Sequence, residues 1–194
     1  MDENLWEKVH AIQGWFNKET ASQLYDILMK TDNDISQGEW VEIGSWMGRS
    51  TAFFALLLQK KYPGKILHAI DTFQGTPNDA FHEDTIRENH FDLYQEFQKN
   101  MNNLQLPIQI HKEKSVDCHW ELPISLLYLD GDHDLYYMME EFRKFDLFLH
   151  TGSFLIMDDV PSWIGPTHLA GHISSMNNYH KIWAGANTIV FQKI

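Results

Sequence analysis

The chain has 194 residues, 43% of them hydrophobic and 13% aromatic, which is the composition of one globular domain with a sizeable core and not of a disordered segment. Its net charge of −12 excludes nucleic acid as a partner, because phosphate binding needs clustered Lys and Arg and Lys60-Lys61 reads as a helix C-terminal pair. The one cysteine, Cys118, excludes an internal disulfide and any Cys-based zinc cluster; with no signal-peptide pattern and no 18-residue apolar run, no membrane association and a cytoplasmic location are expected.

Leu5, Val9, Ile12 and Phe16 form the apolar stripe of a first helix. Thr20 with Gln23 resembles a capping box that opens a second helix through Leu24, Ile27 and Leu28. These helices, residues 1–35, are expected to cover a sheet face or to form part of a substrate entrance, and their apolar faces are candidates for a homodimer contact. From Glu39 strands and helices alternate: strand 40–43, helix 50–62, strand 66–70, a polar loop 72–79, a long helical region 80–103, strand 107–111, strand 125–129, helix 135–149 closed by Gly152, and strand 154–157. Residues 179–183 and 188–192 read as a terminal antiparallel hairpin. Alternating β and α elements imply an α/β fold with a mostly parallel sheet, doubly wound and Rossmann-like, closed by the hairpin. No linker or repeat divides the chain, so one domain, 1–194, with its core at 36–194, is expected.

The most informative stretch is Val-Glu-Ile-Gly-Ser-Trp-Met-Gly-Arg-Ser, residues 41–50. It reads as a buried strand that turns at Gly44 and Gly48 into an apolar helix, which offers backbone N–H groups to a nucleoside-containing cofactor. In an open α/β sheet ligands bind beyond the carboxyl ends of the strands, and acids stand there on four of five expected strands: Glu42, Asp71, Asp130 and Asp158-Asp159. Asp71 stands about 20 residues beyond the glycine turn, where a carboxylate holds a ribose diol. Asp130, Asp158 and Asp159 would repel one another unless a cation joined them, and oxygen-only ligands favour Mg²⁺ or another hard divalent ion. Each acid alone is as well explained as a strand-end or helix-capping residue; the set on one rim is better explained by function.

His133, three residues past Asp130, is either a base for a metal-bound hydroxyl or a support for its loop. His168 and His172 stand at i, i+4 without a third ligand and are read as structural. Trp46, Phe73, Trp163 and Trp183 are expected on the active rim, Trp46 with its side chain outward over the cofactor. Phe53, Phe54, Phe142, Phe145 and Phe148 follow helical spacing and belong to the core, as do Met138 and Met139.

Residues 42–50, in a Glu-x-Gly-x-x-x-Gly-x-Ser pattern, resemble the first motif of class I S-adenosylmethionine-dependent methyltransferases. Asp71-Thr72-Phe73-Gln74-Gly75, the run 127–133 ending in Asp-Gly-Asp-His, and residues 154–160 follow in the order of one subgroup. That subgroup comprises small-molecule O-methyltransferases similar to macrocin O-methyltransferase and distantly to catechol O-methyltransferase, and the likeness spans roughly residues 36–193. It implies a seven-stranded sheet with an antiparallel last strand. It implies cofactor contacts at Glu42, Gly44, Ser45, Trp46, Gly48 and Ser50, ribose at Asp71, adenine beside Thr72 and Phe73 and near Ser115 and Val116, and a further contact at Asp130. It implies a divalent metal, Mg²⁺ or another, on Asp130, Asp158 and Asp159. His133 stands at the spacing of the lysine base of the catechol enzymes, and Asp159 replaces their asparagine.

The expected activity is therefore metal-assisted methyl transfer from S-adenosylmethionine to an oxygen of a small hydroxylated acceptor, with His133 or Asp130 taking the proton. The segment 79–103 and the loop 161–167 would flank the acceptor as lid and specificity wall. A glycosyltransferase using Asp130-Gly131-Asp132 is the principal alternative. A non-catalytic cofactor-binding protein of the same fold is another. A nicotinamide oxidoreductase is disfavoured, since the turn has Gly-x-x-x-Gly and no third glycine.

Overall fold

The computed structural model describes residues 1–31, 37–75, 84–86 and 92–194. Its elements in chain order are α1 (Glu3–His10), α2 (Lys18–Lys30), β1 (Glu39–Ile43), α3 (Arg49–Lys61), β2 (Leu67–Ile70), α4 (Leu93–Asn103), β3 (Ile108–His111), β4 (Ile124–Leu129), α5 (Leu135–Asp146), β5 (Leu149–Met157), α6 (Ile164–Ser174), β6 (Tyr179–Gly185) and β7 (Thr188–Lys193). The strands form one sheet in the order β3-β2-β1-β4-β5-β7-β6. β1 to β5 are parallel, while β7 pairs antiparallel with both β5 and β6. The expected seven-stranded, mostly parallel sheet with its closing hairpin is the sheet observed.

Side-chain alternation along the strands builds a core on each face. Trp40, Leu126, Tyr128, Phe154 and Ile156 meet Phe53, Phe54 and Leu57 of α3 and Phe97 of α4 on one face. Val41, Leu127, Leu129, Leu155 and Met157 meet Met138, Phe142 and Phe145 of α5 and Leu169 and Ile173 of α6 on the other. The strand order reverses between β1 and β4, so the crevice beyond their carboxyl ends is where a ligand is admitted.

The N-terminal helices pack on α3 and not directly on the sheet, and it is the segment between them that reaches the crevice. Trp6, Val9, Leu24 and Leu28 are buried against α3, while residues 13–17 reach the crevice. The first stripe is only partly helical, since α1 ends at His10 and Ile12 and Phe16 are buried from a connecting segment. The Arg49 guanidinium pins that segment by donating to the carbonyls of Ile12 (2.6 Å) and Phe16 (3.3 Å). Tertiary hydrogen bonds thus replace the last turn of the expected helix.

Two boundaries also differ from expectation. α2 is capped by Asn17, whose side-chain oxygen accepts from the Thr20 amide at 2.9 Å, so Thr20 lies inside the helix and does not open it. Gly152 does not close α5, which stops at Asp146; it lies within β5 at φ 92°, where the pairing with β4 shifts from Ile124↔Leu149 to Leu126↔Phe154. The long helical region is helical at residues 84–86 and again from Leu93, capped by Asp92, and the rest of its earlier part lies outside the described residues. No helix among the described residues is long and apolar enough to cross a membrane.

Candidate active site

A cavity of about 940 Å³ opens at the reversal point. That is the upper end of the range for small-molecule sites. Gly44, Ser45, Trp46 and Ser50 line it, with Asp71 and Thr72 after β2, Ser115 and Val116 after β3, Asp130 and His133 after β4, and Asp158 and Asp159 after β5. Glu42, Gly48 and Phe73 are not among its lining residues.

Gly44 is demanded by the approach of two strand ends. It sits at φ 86°, and a Cβ there would stand 2.0 Å from the Asp130 carbonyl oxygen. The turn that follows closes on Asp71. Oδ2 of Asp71 accepts from the Ser45 amide (2.6 Å) and the Trp46 amide (3.0 Å), and Oδ1 accepts from the Phe73 amide (2.6 Å). One carboxylate therefore holds the turns after β1 and β2 together at the cavity wall. Trp46, at φ 50°, donates from Nε1 to Gln13 at 2.6 Å and packs beside Trp15, their rings 5.4 Å apart.

Glu42 lies beneath the turn, fully buried. Its Oε2 accepts from Ser45 Oγ at 3.0 Å and from Thr51 Oγ1, while Oε1 has no partner. Burial raises its carboxyl to about 7, against the lowering effect of hydroxyls from Ser50, Thr51 and Ser45. It shapes the turn from below.

The acids after β4 and β5 adjoin because those strands are neighbours. Tyr128 Oη lies between two of them, 3.0 Å from Asp158 Oδ2 and 3.3 Å from Asp130 Oδ2. Asp158 Oδ1 accepts from Thr188 Oγ1 at the start of β7. Asp159 is held at φ 60° between the Asn187 amide at 2.7 Å and His133 Nε2 at 2.8 Å. The His133 ring stacks on Trp163 at 4.2 Å between centroids. Desolvation, then the charges of Asp158 and Asp159, hold the Asp130 carboxyl well above the usual range. Burial likewise raises Asp158, to about 6, with the Asp159 charge adding to it and the Thr188 hydroxyl opposing it.

Of the four aromatics expected on the rim, Trp46 and Trp163 line the cavity. Phe73 is buried against Tyr94 and Phe97, each 5.0 Å away. Trp183 packs from the hairpin against the core on the α3 face of the sheet and does not line the cavity. His168 and His172 occupy successive turns of α6.

Several site residues escaped the sequence reading. Tyr128 looked like one more buried strand residue. Asn187 and Thr188 come from the hairpin turn, which only the antiparallel return of β7 brings to β5. Glu141 of α5 is buried at the cavity wall, with Oε1 accepting from Ser115 Oγ at 2.5 Å and Oε2 without a partner. Burial raises it to about 7. Its signal was available: an acid on the apolar stripe of Met138, Phe142 and Phe145.

The sequence profile of the methyltransferase domain family matches residues 41–160, well over half of the chain and the whole of the segment that carries the cavity's acids. The chain belongs to this methyltransferase family. Among curated proteins none matches it in sequence. Among solved structures, the O-methyltransferase NovP is similar with a TM-score of 0.64 and 15% identity over 98% of this chain and 78% of its own. CalS11, a TDP-rhamnose 3′-O-methyltransferase of calicheamicin biosynthesis, is similar at 0.62 and 14% identity, covering 91% of this chain and 80% of its own. The methyltransferase PaMTH1 of Podospora anserina, solved with S-adenosylhomocysteine, is similar at 0.62 and 10% identity, covering 99% and 87%. These likenesses establish that the methyltransferase shares their fold.

Proposed function

We propose that this methyltransferase moves a methyl group from S-adenosylmethionine to an oxygen of a small hydroxylated acceptor, with a divalent cation on Asp130, Asp158 and Asp159. The observation that carries the reading is the junction of the glycine turn with the Asp71 carboxylate, set opposite the acids of β4 and β5 across one cavity. The O-methyltransferase activities of NovP and CalS11 favour oxygen as the acceptor atom. The family match does not favour the glycosyltransferase alternative.

The donor set suits a hard cation by its chemistry. It is all oxygen, comes from adjacent strand ends, and contains two carboxyls raised by burial and by like charge, which a cation would relieve. Binding would have to draw the three carboxylates together, since their oxygens are not gathered within 4.8 Å of one another and Asp159 Oδ1 and Oδ2 are bonded to Asn187 and His133. When bound, S-adenosylmethionine supplies an activated methyl group and the metal lowers the pKa of the acceptor hydroxyl. The chain's own residues do the rest. Asp71, oriented by three amides, holds the ribose hydroxyls; Ser115 and Val116 border the adenine. His133 accepts the acceptor's proton, with Asp130 as a second proton acceptor. The contact to Asp159 keeps the proton of the neutral imidazole on Nε2, leaving the lone pair on Nδ1, and Trp163 fixes the ring plane. Trp15, Trp46 and Trp163 present apolar rings that exclude water and pack against the acceptor. The acceptor would be met in the cytoplasm.

Titration calorimetry tests the cofactor assignment. Asp71→Ala removes the acceptor of three amides as well as the ribose contact, and affinity for S-adenosylmethionine should fall at least about tenfold; an unchanged affinity would refute the assignment. For the metal, chelation should abolish methyl transfer and Mg²⁺ should restore it. Asp158→Ala should lose that response while binding S-adenosylmethionine about as tightly as the parent. Activity indifferent to EDTA would rule the metal role out.

A further inference from the structure

Apart from the acids after β4 and β5, one group of side chains among the described residues brings three different donor chemistries together. His111 at the end of β3, Glu113 two residues on and Cys118 in the following turn place a ring nitrogen, a carboxylate oxygen and the sulfur within 4.8 Å of one another. Cys118 Sγ lies 3.7 Å from His111 Nδ1, a separation that two ligands of one four-coordinate ion can adopt. We propose that His111, Glu113 and Cys118 bind a zinc-like divalent cation, distinct from the oxygen-ligated cation assigned to Asp130, Asp158 and Asp159. A zinc cluster built of cysteines stays excluded by the single thiol; a mixed site with one thiolate is a different arrangement.

The surroundings are those of a supported ligand set. With Nδ1 of His111 facing the thiol, its Nε2 lies 3.0 Å from His68 Nδ1, so the imidazole can donate its remaining N–H to a neighbour. His68 Nε2 in turn lies 3.6 Å from Glu39 Oε2. A ligating histidine whose far nitrogen is bonded to a partner, itself backed by a carboxylate, is how metal sites fix ring orientation and tautomer. Trp120 closes the apolar side, edge-on to His68 at 4.9 Å and to His111 at 5.8 Å. The other end of the turn is already anchored, since Lys144 Nζ donates to the carbonyls of Ser115 and Val116 at 2.9 Å each and to that of Cys118.

Sulfur and imidazole donors select zinc over magnesium, whereas the all-oxygen rim selects the reverse. Three protein ligands leave one coordination position for water, and binding releases the Cys118 thiol proton to solvent. Residues 113–116 line the large cavity, so the ion would brace one of its walls.

Cobalt titration of the chelator-treated full chain tests the site without recourse to catalysis. One equivalent of Co²⁺ should produce a thiolate-to-cobalt charge-transfer band with visible bands of a four-coordinate ion, and Zn²⁺ should displace both. Cobalt on Asp130, Asp158 and Asp159 would give no thiolate band, so failure here is distinguishable from failure of the oxygen site. Glu113→Ala, at an exposed position, should weaken Co²⁺ at least about tenfold, and His68→Ala about ten- to a hundredfold. Cys118→Ser should abolish the band; should that buried substitution fail to fold, the parent spectrum and Glu113→Ala decide by themselves. The absence of a thiolate band in the parent, or a band indifferent to Glu113→Ala, would overturn the proposal.

Discussion

Glu42 shows how one residue can serve a site from outside it. Its carboxyl rises to about 7 through burial, while in the unfolded chain it stays near 4.5. Between those values the native state binds the extra proton, so its contribution to stability is complete below about 4.5, declines as pH rises, and is gone above about 7. Glu42→Gln keeps the shape without the ionisation and should remove a pH-dependent loss of up to about 3 kcal/mol. Urea denaturation across this window should give a shallower slope in the variant, with Glu141, also raised to about 7, supplying part of what remains. A slope equal to the parent's would mean that Glu42 is already ionised in the folded protein. The position of Glu42 near a strand end was legible in the sequence; its place beneath the turn was not, because that depends on where Thr51 and Ser45 carry their hydroxyls.

Among the elements, α6 is seated more closely on the site than its sequence suggests. Gly165 lies against the backbone of the β4–α5 connection, where a Cβ would stand 2.1 Å from the His133 carbonyl oxygen and 3.0 Å from the Leu135 amide. Backbone atoms cannot swing aside as a flexible side chain does, so Gly165→Ala must displace α6 or the His133 loop, at a cost of about 1–3 kcal/mol. His133 and Trp163 should move with it. The expected outcome is a fall of at least about tenfold in the rate of methyl transfer, with calorimetry showing S-adenosylmethionine affinity within about twofold of the parent, because the turn after β1 is untouched. Equal losses of rate and affinity would show that the shift spreads through the whole cavity. The loop 161–167 was expected to flank the acceptor, and Ser162 and Trp163 do line the cavity. The closeness of Gly165 could not be read, since nothing in a linear sequence states which backbones touch.

For the whole molecule, the net charge of −12 acts against compactness as well as against nucleic acid. Acids crowd the rim of the sheet, where Arg49 and Lys114 are the only lysine or arginine among the described residues that line the cavity, so negative charge is in excess there. Screening should relieve this repulsion, and raising monovalent salt from about 0.01 M to 0.15 M, which shortens the screening length from about 30 Å to 8 Å, should raise the thermal midpoint. Calorimetry at two salt concentrations reads the effect directly. A midpoint that falls with salt would mean that attractive pairs, such as Lys193 with Asp146 at 2.6 Å, outweigh the repulsion.

The sequence by itself determined the alternation of strands and helices as far as β5, the closing hairpin, the glycine turn and the acids at the strand ends, because each is a local pattern. It did not mark α6, whose start falls within the loop expected at 161–167. Hydrophobic period marks an element, and a glycine or a strand-end carboxylate can be recognised in place. Only the tertiary structure decided that Gly44 meets Asp130, that Tyr128 lies between two carboxylates, and that Asn187 and Thr188 return to the rim. It also decided that His111, Glu113 and Cys118 converge. These are contacts between segments whose separation is fixed by sheet order and register, and no local pattern encodes the distance between them.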